Sequence, residues 1–217
     1  MKRMPPDRRR EAIVAAALSV AVTKGLASTT VRDVAAEMGT SSGLIHHYFD
    51  SMDGVLAAAF ERVARQDLVA SSALMAGAGS PTDALRAFFT SYTPADKDWA
   101  FQLWLDAWAE AARRPAIRAV SEALNLEWQG LLETTIRRGV ADGSFVCPDP
   151  VRAAWRILSL LDGLALQVVA HGTTLSRGDV VAWSTAAAEG ELGLAPGTLA
   201  PPAYASRASV AASGTPP

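Results

Sequence analysis

Residues 29 to 56, TTVRDVAAEMGTSSGLIHHYFDSMDGVL, leave little choice of local structure: two short helices around a glycine, then the start of a third. Thr30 stands three residues before Asp33, so its hydroxyl can cap open N–H groups while the Asp33 carboxylate faces the positive helix start. The first helix therefore begins near Val31, and Val34, Ala35 and Met38 give it one apolar edge. Gly39 ends it, because glycine accepts the left-handed backbone that closes a helix. Thr40, Ser41 and Ser42 bring hydroxyls to the opening of a second helix, whose free N–H groups favour an anionic phosphate. Ile45 and Phe49, four apart, pin that helix to a core and leave Ser42, Gly43, Leu44, His46 and His47 to face outward. A packing helix, a tight turn and a second helix with small residues at its start form a helix-turn-helix pattern, whose second helix enters a DNA major groove.

The charges are distributed in keeping with that reading. Residues 1 to 50 carry seven basic and five acidic side chains, a balance of +2, whereas the remaining 13 basic and 17 acidic residues give -4. Arg8, Arg9 and Arg10 come after Pro5, Pro6 and Asp7 at the start of a first helix, where a basic arm can reach a groove or the phosphate backbone; a solvated charge cluster is the alternative for each arginine.

The segment resembles the DNA-binding domain of the TetR family of bacterial transcription regulators. The resemblance is carried by TTVRDVA, the turn at Gly39, Ser41, Gly43, the aromatic stretch HHYF, and Ser51 before the next apolar helix. It implies that Arg32 reaches a base or phosphate from the first helix and that Thr40 to His47 form the recognition element. The DNA-facing set is then Arg8, Arg32, Thr40, Ser41, Ser42, Gly43, Leu44, His46, His47 and Tyr48. Ser42, His46 and Met52 stand where the family usually has lysine, tyrosine and lysine, which removes expected phosphate contacts. The neighbouring histidines lack a third ligand at metal spacing, so neither metal nor cofactor is expected.

Half of the 217 residues are apolar, enough for a substantial core. The single cysteine, Cys147, forms no internal disulfide and suits a reducing cytosol. No uninterrupted apolar run approaches the roughly 20 residues that cross a bilayer, so a cytoplasmic protein with no membrane partner is expected. Strand-like alternation is absent, and the whole chain reads as all-α, with about nine helices. The first spans 7 to 24 and ends at Gly25. A long fourth helix from Met52 to Ala76 links the head to a second, helical domain; the fifth carries Ala84, Leu85, Phe88, Phe89 and Tyr92 and stops at Pro94. The sixth, from about Asp96 to Arg113, is rich in tryptophan. The seventh runs from Pro115 to Asp142, with Ile117, Val120, Leu124, Leu131 and Val140 as its buried stripe. Asp149 and Pro150 open the eighth, and Ser176 with Asp179 caps the ninth. The expected domains are a helix-turn-helix domain at 1–52, a helical ligand-binding and dimerisation bundle at 53–193, and a disordered or loosely docked tail at 194–217, rich in Ala, Pro, Ser and Gly.

The eighth helix, LSLLDGLALQVVA, is apolar nearly all round and must be covered on two sides. Together with Val180, Trp183 and Ala187 of the ninth it suggests a twofold interface, so that a homodimer through helices eight and nine presents two heads to a palindrome. A central helix in a monomer is the alternative. The resemblance extends to WLDAWAEAARRPAIRA and LLDGLALQ, which look like the C-terminal domain of the choline-responsive repressor type within that family, without fixing the small-molecule effector of this chain. Phe101, Trp104 and Trp108 recur at helical spacing and suit a core or a pocket wall. With Phe89, they form a candidate ligand set to which Asp106, Glu110, Trp128, Asp162 and Gln167 can add polar contacts, suited to a cationic ligand. His171, near the end of the eighth helix, suits the helix dipole. No nucleophile motif, phosphate loop or metal-ligand cluster is found, so an enzyme is not expected. The reading is a ligand-responsive DNA-binding regulator, released from its operator by a small molecule; the alternative is a helical ligand-binding or adaptor protein whose head meets protein.

Overall fold

A computed structural model of the chain describes residues 5–92, 98–172 and 174–201. Among these, nine α-helices succeed one another: α1 (Pro6–Lys24), α2 (Val31–Glu37), α3 (Ser42–Tyr48), α4 (Met52–Ala76), α5 (Pro81–Thr90), α6 (Asp98–Ala111), α7 (Pro115–Ala141), α8 (Pro150–Leu166) and α9 (Arg177–Leu192). The expected stop at Pro94 and start at Asp96 lie outside the described residues, as do Lys2 and Arg3.

The boundaries obey the chemistry read from sequence. Thr30 and Asp33 form a reciprocal capping box, and Ser176 and Asp179 form another. Asp149 accepts the Arg152 N–H ahead of Pro150. Gly25 closes α1 at φ 81° and Gly39 closes the turn after α2 at φ 62°, backbone angles that glycine adopts without steric cost.

Packing divides the described residues into two compact units, one drawn from Met1–Asp67 with Lys97–Asn125, the other from Leu68–Asp96 with Leu126–Pro217. The sequence boundary at 52/53 tracks the helix-turn-helix pattern; compactness instead groups α6 with the head, because α6 packs on α1. In the first unit Ile13, Ala17, Val34, Ala35, Ile45, Phe49, Val55 and Ala59 form one buried cluster. Ile45 and Phe49 thus perform the pinning expected of them.

In the second unit α8 packs on α9, and Ala153, Ala154, Ile157, Leu158 and Leu161 are the buried residues of α8. The buried stripe of α7 departs from expectation. Ile117, Leu124, Trp128, Leu132 and Ile136 are buried, Leu131 is half-buried and Val140 is exposed: the buried row from Leu124 to Ile136 repeats every fourth residue, which takes in Leu132 rather than Leu131 and stops short of Val140 at the helix end. Phe145 folds back so closely on Gly139 that its ring occupies the place of a side chain there.

Two features of the second unit go beyond the sequence reading. Although no uninterrupted run is long enough, Pro150–His171 has by length and composition alone what a membrane-crossing helix needs, its most apolar stretch having a mean hydropathy of 1.4; the core helix of a soluble protein has the same composition. Residues 167–171 continue α8 as a π-helical turn closed by Gly172. The second is the stretch after Gly193. Its residues up to 200 are docked: both carboxylate oxygens of buried Glu189 accept backbone N–H groups, Oε2 from Gly197 at 2.9 Å and Oε1 from Leu199 at 2.7 Å. Arg86 donates to the Thr198 carbonyl at 2.7 Å, and Leu199 is fully buried. Backbone groups, which composition does not reveal, hold this segment; residues 202–217 lie outside the described ones.

Candidate nucleic-acid interface and effector residues

The helix pair is held from behind. Asp33 accepts from the Thr30 N–H at 3.0 Å and hydroxyl at 2.6 Å, and Lys24 bridges to the same carboxylate. The hydrogen bond from Lys24, then those from Thr30, lowers the Asp33 carboxyl to about 2. Ser19 of α1 donates to Glu37 of α2 at 2.9 Å. These contacts fix α2 against α1 and leave its opposite face, with Arg32, exposed.

Beyond the turn, Gly43, His46 and His47 are exposed, while Thr40, Ser42 and Leu44 are half-buried. Ser41 is exposed at the N-cap of α3, yet its hydroxyl makes no capping hydrogen bond. Tyr48 is half-buried against the head cluster, with its ring edge-on to His47 at 5.1 Å. Arg8 is exposed in the first turn of α1. Arg8, Arg9 and Arg10 are therefore helical rather than parts of a loose arm, since Pro6 already starts the helix. Arg10 is engaged inside the head: its guanidinium sits 3.9 Å above the Phe49 ring and donates to the Tyr48 carbonyl at 2.8 Å. This contact spans 38 residues of sequence, a separation at which periodicity is silent.

The candidate effector residues fall in both units. In the first, Phe60 and Trp104 meet edge-on at 4.8 Å, Trp104 and Trp108 lie 5.6 Å apart, and Phe101 meets Trp108 at 6.1 Å. The Trp108 Nε1 is buried and lacks a hydrogen-bond partner. Asp106 and Glu110, read from sequence as polar groups available to a ligand, are already engaged: Asp106 accepts from the Leu26 N–H at 3.0 Å, and Glu110 accepts from Arg114 at 2.6 Å. In the second unit Phe89 is fully buried and Trp128 nearly so, its ring 6.2 Å from that of Phe88. Asp162 is half-buried on α8, and burial pushes its carboxyl up to about 7. Gln167 is exposed where the π-helical turn begins, and His171 is exposed at its end.

A capped first helix, a glycine turn and a pinned second helix with an open outer face define a helix-turn-helix DNA-binding protein. Comparison with known proteins agrees and narrows the class. Residues 13–59 match the family model described as bacterial regulatory proteins, tetR family, and residues 81–193 match the BetI-type transcriptional repressor C-terminal domain. The chain belongs to the TetR family of bacterial transcriptional regulators, as one with a BetI-type repressor domain. The HTH-type transcriptional regulator BetI of Paraburkholderia xenovorans is 31% identical over 76% of this chain and 83% of its own length. That of Stenotrophomonas maltophilia is 32% identical over 53% of this chain, a match spanning 60% of the relative. A crystal structure of a transcriptional regulator from Saccharomonospora viridis in complex with choline superposes with a TM-score of 0.74, at 25% identity, over 82% of this chain and 94% of that one.

Proposed function

We propose that the chain binds a palindromic operator as a homodimer and that a small cation binding to its helical domain releases it. The observation that carries the reading is the head: Lys24 and Asp33 hold each other and Arg10 holds the Phe49 ring, while the surface of Arg32, Ser41, Gly43, His46 and His47 stays open. Arg8, Arg32, Thr40, Ser41, Ser42, Gly43, Leu44, His46, His47 and Tyr48 supply the DNA contacts, with Ser41 and Ser42 on phosphate and His46 and His47 towards the groove. The working place of such a protein is the cytoplasm, with the DNA.

Dimerisation through α8 and α9 is supported by the apolar groups these helices leave in water. Trp183 is 50% exposed, Val151 41% and Leu160 37%, apolar side chains that a partner's helices would cover. Pairing them about a twofold axis covers that surface and sets two recognition helices at a fixed spacing.

The effector meets the chain at Asp162. Its carboxylate is half-buried and makes no hydrogen bond or ion pair among the described residues, so the cost of burying its charge is uncompensated until a cation arrives. A quaternary ammonium such as choline, the ligand of the Saccharomonospora relative, supplies that charge without needing a hydrogen-bond acceptor.

Selection of bound fragments from a genomic DNA pool tests the DNA reading. A recovered palindrome whose affinity falls steeply with salt supports it; indifference to every duplex at low ionic strength overturns it. With that palindrome in hand, Ser42→Ala with His47→Ala should weaken binding at least tenfold. Unchanged affinity would refute those two contacts. Choline titrated by calorimetry should bind the intact protein and fail to bind Asp162→Asn.

A further inference from the structure

The helix-turn-helix is held at both of its flanks by α6 and the turn after it, and we infer that Asp106 and the pair Arg114 with Asp53 are positioning residues for DNA binding. This rests on the reading of the head as the DNA-binding element. The first flank is the turn between α1 and α2. After Gly25 the chain turns away, leaving the Leu26 N–H outside the helix ladder; Asp106 Oδ2 accepts it at 3.0 Å, while Oδ1 accepts from Gln102 at 3.2 Å. The approach depends on Gly25, since a side-chain carbon there would sit 3.2 Å from the same oxygen at a φ of 81°. Leu26 is fully buried, and Thr29 closes the turn by donating to the Gly25 carbonyl at 2.8 Å.

The second flank is the first turn of α4, directly after α3. Arg114 spans two carboxylates: its Nε donates to Glu110 Oε2 at 2.6 Å and its Nη1 to Asp53 Oδ1 at 2.9 Å. Glu110 is buried, so the Arg114 fork is anchored at its base, and Asp53 is the free end that it catches. Only a guanidinium offers two donors in this fixed divergence. The two clasps enclose residues 26 to 53, all of α2 and α3, so they set how the recognition helix stands on the rest of the unit without touching DNA themselves. Both are polar and directional, and the apolar cluster inside the head does not reproduce that constraint.

The experiment uses the full-length protein and the palindrome recovered with the wild type. Asp106→Ala removes the first acceptor, Asp106→Asn keeps an oxygen for the Leu26 N–H, and Asp53→Asn takes the charge from the second clasp, weakening its ion pair while leaving Arg114 on Glu110. Asp106→Ala is expected to weaken operator binding about tenfold, Asp53→Asn about threefold, and Asp106→Asn less than twofold, since one net hydrogen bond is worth about that ratio. The slope of affinity against salt should become shallower for the first two, because fewer phosphate contacts then form together. Hydrogen exchange should quicken across residues 26–53 in Asp106→Ala and return to normal in Asp106→Asn. Arg114→Lys should behave like Asp53→Asn. If Asp106→Ala melts at a much lower temperature, Asp53→Asn and Arg114→Lys decide the matter. Wild-type affinity, salt slope and exchange in all variants overturn the proposal. A wild type that binds no duplex overturns the DNA reading instead, and exchange across 26–53 still reports whether the clasps hold the helix pair.

Discussion

Acidic side chains on the two tryptophan-rich or apolar helices, α6 and α8, meet opposite fates. On α6, Asp106 and Glu110 both have partners within the first unit, one a backbone N–H and the other an arginine. On α8, Asp162 has none among the described residues, and burial alone holds its carboxyl up to about 7. Both helices present the same local appearance in sequence, an acidic residue among apolar ones. A partnered carboxylate such as Asp106 belongs to internal architecture, whereas an unpartnered one such as Asp162 holds a position whose complement comes from elsewhere.

Three measurements put the two units to the test. The largest effect concerns the second unit's packing rather than its charge. Gly139→Ala places a carbon 2.1 Å from the Phe145 ring and should cost about 3 kcal/mol, read from urea unfolding. A loss below about 1 kcal/mol would show that Phe145 swings aside easily. Next, Asp162→Asn should stabilise the protein by about 2 kcal/mol at pH 8, roughly half of what the shift itself corresponds to, because the asparagine amide is also costly to bury unpaired. The carboxyl is raised on folding, from 3.8 to about 7, so its penalty is absent below pH 3.8, grows as pH rises between the two values, and is complete above about 7. The gain should therefore vanish at acidic pH, and a gain independent of pH would mean that Asp162 is not the source. The smallest belongs to the first unit: Thr30→Ala should cost about 1 kcal/mol through the lost cap. Acid acts on the same corner in the opposite sense to Asp162. Because Asp33 is lowered from 3.8 to about 2, its contribution is complete above the higher value and fades as pH falls through the lower.

What the sequence made legible was local. The boxes at Thr30 and Asp33 and at Ser176 and Asp179, the stop at Gly25 and the pinning pair Ile45 and Phe49 all depend on residues within four positions of one another, where periodicity and capping speak directly. The whole helix order came from them. Features joining distant segments stayed hidden. Nothing near Asp106 announces Leu26, 80 positions away, and nothing near Arg114 announces Asp53. Arg10 looked like a groove-seeking charge because its aromatic platform, Phe49, lies far along the chain, at the end of α3. The α7 stripe slipped because Leu131 and Leu132 are adjacent, and composition alone does not say which of the two faces inward.

The docked segment after α9 bears on how this protein can be handled. The family match ends at residue 193, yet Leu199 is part of the interior and Glu189 is held by amides further along the chain. A shortened version cut at the family boundary would strip a buried carboxylate of both its donors and leave the place of Leu199 empty, whereas a reporter fused beyond Pro201 would leave that closure undisturbed.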